Sequence, residues 1–138
     1  MANTILLAVE DSAHSQRAAE VSESLAQLTK YAVVVTHVHE LATGRWGSMR
    51  VDDNTGDAFS EAIVKSLVGA GIDARMEIRE AHYGHVAQTL SAVAEELDAD
   101  MIVVGSRGRS DVGSLTLGSV SHKLLHVAHR PVLVVPPA

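Results

Sequence analysis

Short apolar runs alternate along the chain with segments of helical periodicity. Four of the runs are nearly continuous, which is typical of strands covered on both faces of a sheet. The third run alternates apolar and charged residues, and this pattern predicts an edge or half-exposed strand. The five runs are Thr4–Val9, Ala32–Val38, Ala74–Ile78, Met101–Val104 and Val132–Val135.

The four segments between the runs have apolar residues at helical spacing. Ser12 is a plausible N-cap of the first helix, Gly71 is a stop signal after the second, and the fourth ends before Pro131. The residues predicted to face inward are Ala18, Val21, Leu25 and Leu28; Phe59, Ala62, Ile63 and Leu67; Val86, Leu90, Val93, Ala94 and Leu97; and Val120, Leu124 and Val127. Right-handed crossovers then give one doubly wound α/β domain over residues 1–138, with a five-stranded parallel sheet and helices on both faces.

The segment Leu41–Gly56 does not follow this alternation. It lacks periodicity, contains Gly, Asp and Asn, and is too long for a simple connection between a strand and a helix. Two interpretations remain, a mobile loop beside a functional site and a variable surface insertion. We favour the surface insertion.

Composition and charge exclude several classes of function for this protein. The 138 residues carry 11 Lys and Arg against 17 Asp and Glu, a net charge of −6, which argues against broad nonspecific nucleic-acid binding. The chain contains no cysteine, so disulfides, thiol catalysis and Cys-type zinc sites are excluded. No apolar stretch approaches the roughly 18 residues of a membrane span, and no secretory signal is recognisable. We therefore expect a cytoplasmic protein without membrane insertion.

The most informative segment is Gly105–Ser119, which follows an apolar strand and precedes a helix. Its four glycines allow close approach of main-chain N–H groups to an anion, and the helix N-terminus adds further N–H groups. Arg107 and Arg109 supply positive charge. These features predict a phosphate-binding loop, and the alternative is a flexible Gly/Ser linker. Neither the P-loop motif nor the dinucleotide-binding glycine motif is present.

The spacing Gly105-x2-Gly108-x9-Gly118-Ser119 resembles the nucleotide-binding signature of the universal stress protein family. The flanking segments Asp100–Ser106 and His129–Val135 are also similar to that family, and so is the opening Ile5–Ser12. The resemblance extends over the whole chain. It implies strand order 3-2-1-4-5 and membership of the branch that binds ATP.

The resemblance also implies roles for individual residues. Gly105, Gly108, Gly118, Ser119 and Val120 would surround the ribose and phosphates. Ala8 and Glu10 would lie at the edge of the first strand, Val38 would present its main chain to adenine, and Val104 would line the pocket. The expected cofactor is ATP or another adenine nucleotide, with Mg²⁺ as the possible metal.

Two departures from the family pattern affect this site. Glu10 replaces the usual Asp, and Asp11 replaces a common Gly. A pair of carboxylates repels phosphate unless it helps to hold Mg²⁺. These changes would either weaken ATP binding or favour a metal-bound form.

The histidines offer a second set of candidate ligands. His122, His126 and His129 share helical spacing, but Lys123 and Arg130 flank them and no acidic partner recurs nearby, so surface histidines are the favoured interpretation. We expect His37 and His39 in the second strand to point in opposite directions, so that at most one faces a ligand.

The leading functional prediction is an ATP-binding regulatory protein of the stress response. No residue is assigned a catalytic role, and we expect slow ATP hydrolysis at most. The last strand, residues 132–135, is an edge that favours pairing with a second copy, and the resemblance implies a homodimer. The alternative is a dimeric protein-interaction module with an empty nucleotide site. The regulatory partner is not identified by the sequence.

Overall fold

Parallel strands form the centre of the molecule, which is described by a computed structural model. The structure describes residues 3–10, 13–45, 47–50, 55–106 and 117–137. In chain order the elements are β1 Thr4–Ala8, α1 Ala13–Thr29, β2 Ala32–Gly44, β3 Gly47–Arg50, α2 Thr55–Gly69, β4 Ala74–His82, α3 Val86–Glu96, β5 Met101–Gly105, α4 Ser119–Val127 and β6 Val132–Val135.

The five predicted strands pair in parallel in the order β4-β2-β1-β5-β6. Numbered along the chain as the five apolar runs, this is the order 3-2-1-4-5 that the resemblance implied. β1 lies between β2 and β5, with Ala8 opposite both Thr36 and Val104. The doubly wound α/β prediction is therefore confirmed.

The segment after β2 contains a strand that the sequence did not predict. β2 continues to Gly44, and β3 returns antiparallel to it with Leu41 opposite Arg50. Gly47, at φ +101°, supplies the left-handed residue beside the turn. Every residue of β3 is exposed, so this hairpin has no buried face that would produce an alternating pattern. The interpretation of Leu41–Gly56 as a segment without regular structure is wrong, although residues 42–45 and 47–50 are exposed as expected of a surface segment.

Two apolar cores lie on opposite faces of the sheet. Alternate β1 residues contribute to each, with Ile5 and Leu7 beneath α1 and α2, and Leu6 and Ala8 beneath α3 and α4. All four are nearly or fully buried. The continuous apolar pattern of β1 thus reflects coverage on both faces.

Helix α1 contacts the sheet mainly through small residues, and the predicted residues Val21 and Leu25 are partly buried against the same core. Its buried face consists of Ser15, Ala18, Ala19, Ser22 and Ala26. Leu28 was expected to face inward but is 81% exposed, and in α2 the predicted inward residue Ala62 is also exposed. Small side chains allow a helix to lie close to the sheet, and this moves the buried stripe away from the bulkier residues.

None of the helices within the described part of the chain is both long and apolar enough to cross a bilayer.

Candidate functional site

The carboxyl ends of β1 and β5 and the middle of β2 bring the predicted pocket residues together. Ala8, Val38 and Val104 all have buried side chains in the core beneath α3 and α4. Ala8 and Val104 are directly opposite each other across the β1–β5 pair. This end of a parallel sheet is where ligands bind in open α/β folds.

Three hydrogen bonds connect the two ends of the glycine-rich segment to the sheet. The Ser106 N–H donates to the Val135 carbonyl at 2.9 Å, and the Gly118 N–H donates to the Ser106 carbonyl at 2.7 Å. The Ser121 hydroxyl donates to the Gly105 carbonyl at 2.6 Å. The start of α4 is therefore fixed beside the end of β5. Arg107, Gly108 and Arg109, also predicted as ligand contacts, lie outside the described residues.

Helix α4 begins at this edge without a side-chain cap. Gly118 is the N-cap, with φ −65° and ψ 164°, and makes no side-chain cap hydrogen bond. Ser119 and Val120 follow in the first turn, where main-chain N–H groups have no acceptor within the helix. Such a turn has a partial positive charge and suits an anion.

Gly105 is required by the packing of α1. A Cβ at this position would lie 2.8 Å from the His14 Cβ and 2.9 Å from the His14 carbonyl oxygen. His14 is a residue that the sequence did not assign to the site. Its Nδ1 atom is buried and has no hydrogen-bond partner in the structure described. Only the fold places it against Gly105, because 91 positions separate the two in the sequence.

Glu10 lies two residues beyond the end of β1 and is half-buried. Its main-chain N–H donates to the Ser15 hydroxyl at 2.8 Å. Because Ser15 is buried in α1, this bond connects Glu10 to the helix. Asp11, the second unusual carboxylate of the sequence, lies outside the described residues.

The two β2 histidines share one face of the sheet, so the prediction that they point in opposite directions is wrong. Side chains two residues apart in a strand lie on the same side. Both are buried, and their ring centroids are 4.7 Å apart at 88°. His37 Nδ1 lies 2.8 Å from the Val9 carbonyl oxygen, and His39 Nε2 lies 2.7 Å from Asp57 Oδ1.

The α4 histidines are on the surface, as predicted. His122, His126 and His129 are all exposed. The rings of His122 and His126 are 4.8 Å apart, and His129 Nδ1 lies 3.9 Å from a Glu95 carboxylate oxygen.

Charged groups with shifted pKa values lie on α3, β4 and the turn before β6. Hydrogen bonds from Arg130 lower the pKa of Glu95, and the same bonds, with one to Asp98, raise the pKa of Arg130. Hydrogen bonds from Arg75 and then Arg79 lower the pKa of Glu77. These contacts connect elements around the sheet and do not involve the strand ends described above.

Comparison with known proteins identifies related sequences. A family model described as "Universal stress protein family" matches residues 1–136. The universal stress protein in the QAH/OAS sulfhydrylase 3′ region of Thermus aquaticus is 35% identical over 145 aligned residues. That alignment covers 98% of this chain and 99% of the relative.

Solved structures share the fold. A universal stress protein from Archaeoglobus fulgidus has a TM-score of 0.73 at 24% identity, covering 97% of this chain and 98% of that one. Another from the same organism, in complex with dAMP, has a TM-score of 0.68 at 21% identity, with 97% of both chains covered. A universal stress protein in complex with cAMP has a TM-score of 0.67 at 22% identity, covering 96% and 94%.

Proposed function

The chain belongs to the universal stress protein family, and on this basis we propose that it binds an adenine nucleotide, ATP, as a regulatory protein of the stress response. One observation carries the proposal: the two ends of the glycine-rich segment are hydrogen-bonded to each other. The hydrogen bond from Gly118 N–H to the Ser106 carbonyl holds the start of α4 beside the ends of β1 and β5. The relatives with dAMP and cAMP support an adenine nucleotide as the class of ligand.

The residues at this edge fit a nucleotide in their chemistry. The first turn of α4 offers main-chain N–H groups to phosphate. The His14 Nδ1 atom is a buried polar group without a partner in the described structure, and it lies on the residue packed against Gly105. A ligand at this edge would provide the polar contact that a buried nitrogen requires.

Each predicted residue has a role in the proposed complex. Val38 presents its main chain to adenine, with Ala8 and Val104 forming the apolar wall. Glu10 contacts the ribose or helps to hold Mg²⁺. The phosphates contact the residues of the glycine-rich segment and the helix that follows it. Those residues are Gly105, Arg107, Gly108, Arg109, Gly118, Ser119 and Val120.

In this proposal the protein is regulated by whether the pocket holds a nucleotide. Binding of the nucleotide at the glycine-rich segment changes a surface that a partner protein recognises. Hydrolysis is slow, with a turnover below about 1 s⁻¹, because no general base has been assigned at the phosphate end. The working unit is a homodimer formed through β6, residues 132–135.

The role of the glycine-rich segment is tested by calorimetric titration of the Gly118→Ala variant with ATP. Gly118 has an extended backbone conformation that any residue adopts, so alanine adds a methyl group without imposing left-handed strain. We expect at least a tenfold loss of ATP affinity at an unchanged melting temperature. Gly69→Ala is the matched control, because a Cβ at Gly69 meets nothing within 4 Å. Equal ATP affinity in the wild type and both variants would contradict the proposed phosphate contact.

A further inference from the structure

A cluster of two buried imidazoles and one carboxylate lies on the face of the sheet covered by α1 and α2. Among the described residues, His37, His39 and Asp57 form one group in which each contributes a potential metal-ligand atom within 4.8 Å of the others. The β2 residues Val33 and Val35 belong to the core on this face, and the two histidines continue their alternation. Asp57 lies in the first turn of α2, above them.

This position separates the cluster from the proposed nucleotide pocket. Ala8, Val38 and Val104 have their side chains in the core on the opposite face. The cluster therefore does not depend on the proposed function. Among the described residues, the two sites approach each other just beyond β1, where the Val9 carbonyl accepts the hydrogen bond from His37.

The hydrogen bond to Val9 fixes the tautomer of His37. A carbonyl oxygen only accepts, so the nitrogen 2.8 Å from it, Nδ1, carries the proton. In the neutral ring Nε2 then has the lone pair that a metal ion requires. A backbone carbonyl bound to the opposite ring nitrogen is the usual outer contact of a metal-ligating histidine.

Gly56 packs closely against this nitrogen. A Cβ at Gly56 would collide with the His37 ring, and Nε2 would be the nearest atom to it. The glycine immediately precedes Asp57, so the first turn of α2 lies directly against the imidazole. The Ser60 hydroxyl donates to the Gly56 carbonyl at 2.7 Å and holds this turn in place.

The His39–Asp57 pair completes the donor set. His39 is fully buried, and its Nε2 atom lies 2.7 Å from Asp57 Oδ1. A metal ion bound by both groups would replace the proton between them and separate the two atoms to about 3.3 Å, as expected for bonds of roughly 2.0–2.1 Å in tetrahedral geometry. The Asp57 side chain is 36% exposed, so the cluster reaches the surface at this carboxylate.

We propose that His37, His39 and Asp57 form a binding site for a divalent transition-metal ion of the zinc type. Two imidazoles and one carboxylate suit Zn²⁺ and its first-row neighbours. Mg²⁺ and Ca²⁺ prefer oxygen ligands and are disfavoured by the two nitrogen donors. Metal binding at this site would connect β2 to the start of α2.

Titration of the full-length, tag-free protein with Co²⁺, a spectroscopic substitute for Zn²⁺, tests the site. We expect visible d–d absorption that saturates at one equivalent, is displaced by Zn²⁺ and is unaffected by Mg²⁺ or Ca²⁺. Asp57→Asn and His39→Gln each replace a metal ligand with a side-chain amide, and we expect each to weaken binding at least tenfold. The control His122→Ala/His126→Ala removes the exposed histidine pair of α4 and should leave the signal unchanged.

The proposal is overturned if the wild type binds neither Co²⁺ nor Zn²⁺, or if binding survives in Asp57→Asn and is lost in the α4 double variant. Circular dichroism checks that the variants fold. If a variant does not fold, the imidazole ¹⁵N shifts of the wild type provide an independent test. Zn²⁺ must then move the Nε2 resonances of His37 and His39, and unmoved resonances reject the site.

Discussion

At Gly105, one glycine meets two different demands. It begins the glycine-rich segment that led to the nucleotide-binding prediction, and it also contacts the main chain of His14 in α1. A sequence pattern cannot separate these causes, because either alone would favour glycine. The structure shows the packing demand directly, in the close contact with His14.

Replacement of Gly105 by alanine should therefore destabilise the fold. The added Cβ would lie under 3.0 Å from main-chain atoms of His14, which cannot rotate away as a flexible side chain would. We expect a loss of about 1–3 kcal/mol in the free energy of unfolding, measured by urea denaturation without nucleotide. Gly69→Ala, in open space at the end of α2, should be neutral or slightly stabilising. A Gly105→Ala variant as stable as the wild type would show that α1 yields at this contact.

The β2 histidines show where residue-level prediction succeeds and fails. Strand periodicity assigns His37 and His39 to one face, so a correct use of the alternation would have paired them. The contacts of the two histidines could not be predicted in this way, because Asp57 is 18 positions from His39 and Val9 is 28 positions from His37. Contacts over such distances depend on how α2 and β1 pack, which no local pattern encodes.

Among the elements, the strands were predicted well and the helix faces less well. Continuous apolar runs identify buried strands because both faces must be apolar. Helix α1 is ambiguous, since its alanines and serines carry little hydrophobic signal and yet form the buried stripe. Leu28 near its end has a strong signal and is exposed. The β3 hairpin was missed for a related reason, as its residues have no buried face.

An ion-pair network connects the edge strand β4 to α3. Arg79 donates to Glu96 of α3 at 2.9 Å, and both Arg75 and Arg79 donate to Glu77. Hydrogen bonds from Arg75, followed by those from Arg79, lower the pKa of Glu77 from its ordinary value of 4.5. The ionised carboxylate is therefore favoured in the folded state.

This network predicts how the free energy of unfolding changes at acid pH. Because the folded-state pKa is lowered, the contribution of Glu77 is fully present above pH 4.5 and is lost as the pH falls through the lowered value. We expect Glu77→Gln to be less stable than the wild type at pH 7, with the difference in unfolding free energy narrowing below pH 4.5. Denaturant unfolding from pH 7 to pH 3 measures this.

The matched control for the acid dependence is Glu61→Gln in α2. Glu61 is more exposed, and its carboxylate lies 3.8 Å from Lys65 Nζ. Exposed pairs of this kind contribute little, so its difference from the wild type should be small at every pH. A Glu77→Gln difference that stays constant from pH 7 to pH 3 would show that the effect is not electrostatic.

At the scale of the whole molecule, the proposed homodimer depends on β6, the strand at one edge of the parallel sheet. Ser106 N–H and Ile102 N–H donate to the carbonyls of Val135 and Pro131. In this parallel pattern the main-chain groups of Val132 and Val134 point away from β5. An edge of this kind offers hydrogen-bonding groups to another strand.

The proposed homodimer is tested by Val134→Pro. Proline removes an N–H that points away from β5, so the β5–β6 pairing keeps its hydrogen bonds. We expect sedimentation velocity to show a dimeric wild type and a monomeric Val134→Pro variant. Val134→Thr keeps both the N–H and the β-branched shape and should remain dimeric. A monomeric wild type, or a proline variant that stays dimeric, would exclude pairing through this edge.

The most direct test of the account is titration of the wild-type protein with ATP, ADP, AMP and cyclic AMP, with and without Mg²⁺, followed by calorimetry and thermal unfolding. At a free ligand concentration one hundred times Kd, a ligand that binds only the folded state adds about 2.7 kcal/mol to the free energy of unfolding. The account predicts saturable binding of adenine nucleotides, a stabilisation of this size and the highest affinity for ATP. The absence of heat and of any thermal shift with all four ligands at millimolar concentration would contradict it, and would leave a dimeric protein-interaction module as the function to pursue.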